Sequence, residues 1–245
     1  MTFHREDEHS KWSRRIQALL AHAASPANTE EARQAYAAKA AYLMTRYGIE
    51  QVQQRTTEGD TRPETAHVWG YAVPGAAGLG HARSHAAALV AEAMGCKVLM
   101  HNFPTPRPCT VMITGVESDI TALKTLLPLV GRQAELAAAT AAAKGNRAPS
   151  YLSGFLVGYA RAVAERITAR RDGYAAEGTG AELVLASRDR LVAELYQATF
   201  GHLATAPQAV RQRADGHAAG KAAGRAADLG DARLGHPQRR SLPAT

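Results

Sequence analysis

The chain is poor in several residue types, and each shortage excludes a class of protein. Only 6% of its 245 residues are aromatic, which argues against a surface that stacks the bases of single-stranded nucleic acid. No uncharged apolar run of about 18 residues occurs, so we expect no transmembrane helix. The N-terminal residues lack the basic and apolar regions of a secretory signal. We therefore expect a cytoplasmic protein with no membrane association.

Cysteine is also scarce, since Cys96 and Cys109 are the only two. They flank a predicted pair of strands, where a disulfide is geometrically conceivable but unnecessary in a reducing compartment. Free cysteines are among the residues most often buried in proteins. We expect two buried thiols.

The common catalytic motifs are missing. Ser118 and Asp119 follow a predicted strand, but no G-x-S-x-G sequence surrounds them, and helix capping explains both residues. No acidic cluster is present that would hold magnesium for phosphoryl chemistry. The sequence therefore leaves any catalytic residue unknown, and we expect no cofactor. Catalytic groups can assemble from distant positions, so whether the protein is an enzyme stays open.

Two segments before residue 50 carry apolar residues at helical spacing. Asn28 is the expected N-cap of the second segment, with Glu31 in the position of a capping-box carboxylate. Gly48 is placed to end it. Residues 10–50 thus predict a hairpin of two antiparallel helices. Its apolar residues are Trp12, Ile16, Leu19, Leu20 and Ala23 in the first segment, and Ala32, Tyr36, Ala40, Leu43 and Tyr47 in the second.

The hairpin also carries a family resemblance. Asn-Thr-Glu-Glu-Ala at 28–32, followed by Lys-Ala-Ala-Tyr-Leu-Met-Thr-Arg-Tyr-Gly-Ile at 39–49, resembles the bacterial and bacteriophage family known as domain of unknown function 2786. The resemblance implies that a longer, uncharacterised α+β region follows the hairpin. The family has no agreed activity, so the resemblance implies no function.

The remainder of the chain resembles that α+β region more loosely and divides into three parts. Residues 51–66 are polar without periodicity, which indicates a linker. Residues 67–200 predict an α+β domain in the order β-α-β-β-α-α, with helices covering one face of a small, mostly antiparallel sheet. Residues 183–185 can form a further short strand, before a helix at 189–200. Residues 201–245 predict a weakly helical, partly disordered basic arm.

Three glycines recur every four residues in this arm, at Gly216, Gly220 and Gly224. In a membrane such spacing favours close pairing of helices. The arm is too polar to span a membrane, however, and we interpret the repeat as part of a loosely structured segment.

The net charge of +7 is concentrated in two segments. Residues 144–172 hold six basic and two acidic residues, and residues 201–245 hold seven and three. Such an excess of positive charge favours the binding of polyanions, although ordinary solvated surface residues are the simpler explanation of these charges. The leading hypothesis is a non-catalytic accessory protein that contacts DNA or RNA phosphates. The residues proposed for these contacts are Lys144, Arg147, Arg166, Arg170, Arg171, Lys221 and Arg225.

An alternative hypothesis is a metal-dependent or phosphate-binding enzyme centred on His81, His85 and the glycine-rich loop from Gly75 to Gly80. His81 and His85 share one face of a predicted helix, which is a spacing that can bind zinc. Glu92 lies on the same face, and His101 and Cys109 are on nearby predicted strands. The hydrolase pattern requires a glutamate directly after the first histidine, where this chain has alanine. Solvated histidines beside the core are the simpler interpretation.

Two further hypotheses concern the glycine-rich loop and the hairpin. Gly75, Gly78 and Gly80 lie between a strand and a helix, where backbone amides can bind phosphate. The loop lacks the Lys-Ser/Thr pair of a nucleotide P-loop, and a flexible turn is the simpler interpretation. The hairpin buries little area alone and is suited to dock on a partner protein.

Overall fold

The computed structural model describes residues 14–23, 25, 27–29, 32, 36, 39, 40, 43, 64–74, 79–101, 109–145, 147–176, 181–203, 212–227 and 229. Within them the fold is α+β, as the sequence predicts. In chain order the labelled elements are α1 (14–23), β1 (Ala66–Val73), α2 (Gly80–Ala93), β2 (Lys97–His101), β3 (Cys109–Val116), α3 (Glu117–Ala143), α4 (Pro149–Ala176), α5 (Ala181–Phe200) and α6 (Ala214–Arg225).

The N-terminal hairpin has a small hydrophobic cluster of its own. Leu19 of α1 is buried with Ala40 and Leu43, which are helical residues of the second segment. The predicted N-cap is displaced by one residue. Thr29 caps the second helix, because its Oγ1 accepts a hydrogen bond from the backbone N–H of Ala32 at 3.3 Å. Asn28 instead donates its side-chain amide to the carbonyl of His22 in α1.

The sheet has three antiparallel strands in the order β1-β3-β2. Since β1 and β2 both run opposite to β3, they are parallel to each other and lie on its two sides. The helix α2 connects them, which makes a split β-α-β unit. The predicted order of strands and helix along the chain, β-α-β-β, is confirmed.

One face of the sheet builds the main core. Trp69 and Tyr71 of β1 pair with Ile113 and Val111 of β3, and directly paired residues point to the same face. This face packs into one hydrophobic cluster with residues of α2, α3 and α4. The alternation read from the sequence therefore identified the correct buried face of β1.

Two local predictions are wrong. Residues 183–185 belong to the helix α5, which begins at Ala181, and form no strand. Ser118 does not cap α3, because this helix starts directly after β3 with Val116 as its N-cap. Ser118 then falls inside the first turn of the helix, where its buried hydroxyl has no hydrogen-bond partner among the described residues.

The C-terminal region also differs from the expectation of weak helicity. Residues 214–225 form the helix α6, which packs along α4 with its three glycines buried. Little side-chain area is available for burial there, so composition alone suggested a loose segment. The close backbone contact with α4 provides the stabilisation instead. Residues 230–245 lie outside the described part of the chain.

Candidate functional site

The helices α4 and α6, which hold five of the seven predicted phosphate-binding residues, form a close parallel pair. Gly216, Gly220 and Gly224 of α6 face the carbonyl groups of Tyr151, Phe155 and Tyr159 in α4. Both series rise by four residues, so the helices run in the same direction. An added Cβ at any of the three glycines would overlap the facing carbonyl oxygen. Only glycine allows this distance between the helices.

Two glycines of α4 contribute to the same contact. An added Cβ at Gly154 would lie 2.6 Å from the carbonyl oxygen of Arg213, and one at Gly158 would overlap the carbonyl oxygen of His217. Backbones this close permit Cα–H···O contacts between helices and leave little freedom to slide. The pair is therefore a rigid support for the side chains on its outer surface.

Two of the predicted phosphate-binding arginines bond to the chain at and just beyond the end of α6. Arg166 donates through Nη1 to the carbonyl oxygens of Gly224 and Arg225 at 3.5 Å and to that of Ala227 at 2.5 Å. The last carbonyls of a helix have no partner within the helix and form the negative end of its dipole, so Arg166 caps α6. Arg170 donates to the carbonyl oxygen of Leu229, beyond the helix, at 3.3 Å.

Arg171 also bonds within the protein. Its guanidinium donates to the carboxylate of Asp189 in α5, and only 20% of its side chain is exposed. The same guanidinium lies against Gly95, which has a φ of 86° in the turn between α2 and β2. A positive φ favours glycine, and a Cβ at this position would also displace Arg171. Arg171 thus joins α4, α5 and the turn before β2.

The other two predicted residues on the helix pair, Lys221 and Arg225, lie near Glu165 together with Arg161. Lys221 donates to Glu165 Oε1 at 2.6 Å. The pKa of Glu165 is lowered, first by this hydrogen bond and further by the positive charges of Lys221, Arg225 and Arg161. Three cations thus surround one exposed carboxylate. We call Arg161, Glu165, Lys221 and Arg225 the Glu165 surface.

Lys144 and Arg147 lie apart from this surface, at the turn between α3 and α4. Both side chains are exposed. Arg147 donates through Nε to the carbonyl oxygen of Ala142 at 3.4 Å. Arg147 precedes α4 by two residues and precedes Arg161 by 14, which corresponds to about 20 Å along a helix axis. The seven residues predicted to contact phosphate therefore fall into three sets. Two lie on the Glu165 surface, two lie at the turn between α3 and α4, and three are arginines that bond within the protein.

The histidine hypothesis gains no support from the described residues. His81 and His85 lie on α2, and the pKa of His85 is lowered by burial and by the positive charge of Arg161. No group of three or more His, Cys, Asp or Glu side chains in the described residues could hold a metal ion. The side chain of His101 lies outside this part of the chain.

The cysteines are both free and buried, as expected. Residue 96 directly precedes Lys97, which pairs with Thr114, whereas Cys109 pairs with Val73. About six residues of β3 therefore separate the two thiols, or roughly 20 Å, which is too far for a disulfide. Burial is the main cause of the raised pKa of Cys96, so its thiol stays protonated.

Two residues of the glycine-rich loop, Gly75 and Gly78, lie outside the described part of the chain. Gly80 is the first residue of α2 and is buried. The phosphate loop and the docking role of the hairpin both stay predictions.

A buried charged cluster that sequence reasoning missed lies between α3, α5 and the residues before β1. Arg188 of α5, with 3% of its side chain exposed, binds Glu64 through two hydrogen bonds of 2.6 and 2.9 Å. Its Nη1 lies 3.9 Å from Oδ1 of the buried Asp119. Burial raises the pKa of Asp119 to about 6, although Arg188 and Arg171 oppose the shift. This cluster links α5 to the start of the sheet.

Comparison with known proteins supports only the hairpin. The model of a family described as "Protein of unknown function (DUF2786)" matches residues 12–51, which confirms the resemblance seen in the sequence. No curated protein matches the chain, and no solved structure matches it either. Among the described residues, no helix combines the length and apolar character needed to cross a bilayer.

Proposed function

We propose that the protein is a non-catalytic accessory protein that contacts nucleic-acid phosphates through the Glu165 surface. The observation that carries this proposal is the grouping of Arg161, Lys221 and Arg225 around a single carboxylate on a rigid helix pair. The surface keeps a net positive charge after Glu165 is counted. Lysine and arginine side chains on such a surface contact phosphate without reading sequence.

The contact between Lys221 and Glu165 does not prevent this role. The exposed fractions of these side chains are 30% and 50%. Ion pairs at such exposed positions contribute only about 0–1 kcal/mol, because water and salt screen them. Lys221 can therefore exchange the carboxylate for a phosphate at little cost. Lys144 and Arg147 form a second group that a longer duplex can reach along α4.

The internal bonds of Arg166, Arg170 and Arg171 reduce the number of residues available for this function. Neutralising them would weaken the fold before it tested binding. Removal of residues 206–245 is equally unsuitable as a test, since it deletes α6 and uncovers the glycines of α4. Substitutions confined to the Glu165 surface avoid both problems.

The test compares the affinity of three full-length proteins for a labelled duplex DNA of about 30 base pairs, by fluorescence anisotropy at low salt. One variant replaces Arg161, Lys221 and Arg225 with Gln. A matched control replaces Lys97, Lys124 and Arg190, which are exposed cations on other elements. Both variants lose three charges, so they separate a local surface from overall charge.

We expect the Glu165-surface variant to bind at least tenfold more weakly than the wild type, because three phosphate contacts are lost. The control should stay within about twofold to threefold of the wild type, since distant exposed charges are screened. Equal losses in both variants would mean that only net charge matters. Undetectable binding by the wild type to both DNA and RNA would refute the proposal.

A further inference from the structure

A cavity of about 400 Å³ lies between α2, α3, α4 and the end of β1. It is distinct from the Glu165 surface, and neither His81 nor His85 lines it. Its walls are mainly apolar and include Val90, Leu127 and Leu156. A volume of this size falls in the lower part of the range for small-molecule sites.

The cavity exists because small residues occupy its walls where larger ones would close it. Ala86 and Ala87 of α2, Ala134 of α3 and Ala160 of α4 all line it. Gly131 of α3 lines it as well, and a Cβ added there would meet no atom within 4 Å. The space is therefore set by the choice of side chains on three helices.

The two least favourable helix residues of α3 both lie along this cavity. The helix has 27 residues with one proline and one glycine, and both Pro128 and Gly131 line the cavity. Proline removes a backbone hydrogen bond within a helix, and glycine is the next least favourable helix residue. Departures from local preference tend to occur at functional sites. Here both departures shape the same opening.

One end of the cavity is polar. Arg83 donates through Nε to Glu135 Oε1 at 2.7 Å and through Nη1 to the carbonyl oxygen of Pro74 at 3.0 Å. Tyr71 lies beside them, and burial together with the negative charge of Glu135 raises its pKa. Its hydroxyl therefore stays a neutral donor and acceptor at physiological pH.

The charges at this end determine which ligands fit. Arg83 and Glu135 neutralise each other, and Arg132, which also lines the cavity, is exposed to solvent. A charged ligand group entering the cavity would lose hydration, and an exposed arginine that water screens offsets little of that loss. A neutral hydroxyl, amide or carbonyl group can bond to Tyr71 or Glu135 without that loss.

We propose that this cavity binds a small, uncharged, mostly apolar molecule that carries one hydrogen-bonding group. The apolar body contacts the aliphatic walls, and the polar group lies at the end formed by Tyr71, Arg83 and Glu135. This inference does not depend on nucleic-acid binding, because the two sites use different residues.

The test uses the full-length protein, with methyl resonances of alanine, leucine and valine followed by NMR. The probes are 4-ethylphenol and 4-ethylbenzoate, which have the same apolar body but a neutral or an anionic polar end. We expect 4-ethylphenol, at up to about 5 mM, to shift the methyl signals of Val90, Leu127 and Leu156. Those of Val184 and Val192 in α5 should not move. The carboxylate should bind at least tenfold more weakly.

Substitutions of Gly131 provide the control. Gly131→Phe places a ring in the open space and should weaken 4-ethylphenol binding at least tenfold. Gly131→Ala adds one methyl group and should keep binding within about threefold of the wild type. Gly131→Leu replaces the Phe variant if that protein does not fold. The proposal is overturned if the wild type shows no shifts at the walls, if the filled variants bind equally well, or if 4-ethylbenzoate binds as tightly.

Discussion

Replacing one glycine by alanine should have opposite effects on stability at Gly220 and at Gly131. Both residues lie inside α-helices, so alanine has the same intrinsic advantage in each, about 0.5–1 kcal/mol. At Gly131 an added Cβ meets no atom within 4 Å, and this advantage should appear in full. We expect Gly131→Ala to raise the free energy of unfolding by that amount.

At Gly220 the same methyl group overlaps the backbone of α4. The atoms it meets are the carbonyl oxygen, carbonyl carbon and Cα of Phe155, none of which can rotate away as a side chain can. The helices must separate, which breaks the neighbouring contacts of Gly216 and Gly224. Overpacking of this kind costs about 1–3 kcal/mol or more, which exceeds the helix-propensity gain. We expect Gly220→Ala to lower the free energy of unfolding by on the order of 1–2 kcal/mol.

Urea unfolding followed by far-UV circular dichroism measures both effects under identical conditions. Hydrogen exchange of the α6 amides adds a local measurement, and protection should fall in Gly220→Ala but not in Gly131→Ala. If both variants are more stable than the wild type by similar amounts, the close α4–α6 contact does not exist in solution.

Three further predictions concern the buried Asp119, the arginine at the end of α6 and the two buried cysteines. The pKa of Asp119 is raised to about 6, so its proton stabilises the folded state below pH 4, and this stabilisation is lost as pH rises through 6. The free energy of unfolding of Asp119→Asn minus that of the wild type should therefore increase from pH 4 to pH 8, by at most about 3 kcal/mol. A difference that does not change with pH would contradict the burial of this carboxyl. Arg166→Met should cost about 1–3 kcal/mol in urea unfolding, because it removes the charged cap of α6, whereas Arg161→Met should change stability by less than about 0.5 kcal/mol. Cys96 and Cys109 should react with a thiol reagent only as fast as the protein opens, and immediate labelling of both would show that they are not buried.

Much of the fold was predictable because its signals are local. The alternation of Trp69, Tyr71 and Val73 gave the buried face of β1, since successive side chains of a strand point to opposite faces. The same reasoning failed at 183–185, where three consecutive aliphatic residues suggested a strand. The buried positions of α5 are Val184, Leu185, Arg188 and Val192, which is helical spacing. Because one of these buried positions is Arg188, the apolar residues alone do not show the helical spacing.

The burial of Arg188 could not be predicted, because its partner Glu64 lies 124 residues earlier in the chain. Two residues this far apart in the chain form no pattern that can be recognised in the local sequence. The α4–α6 contact is a different case, since Gly154 and Gly158 share the four-residue spacing of the α6 glycines. Two matching series are a stronger signal of helix pairing than one, even outside membranes. Recognising them together would have predicted α6 as a packed helix.

The position of the positive charges on the Glu165 surface could be predicted only in part. Lys221 and Arg225 do lie on an exposed face with net positive charge, but Arg166, Arg170 and Arg171 bond to other parts of the chain. Composition gives the number of charges without their partners. Which arginines face solvent depends on where the carbonyls at the end of α6 and the carboxylate of Asp189 lie after folding.

The salt dependence of DNA binding tests the central claim most directly. Each phosphate contact contributes about −0.9 to the slope of log K against log salt concentration, so three contacts on the Glu165 surface predict about −2.7 from this surface. The slope of the Arg161, Lys221 and Arg225 triple variant should be less steep than that of the wild type by this amount. Identical slopes for the two proteins would contradict the claim that these residues contact phosphate.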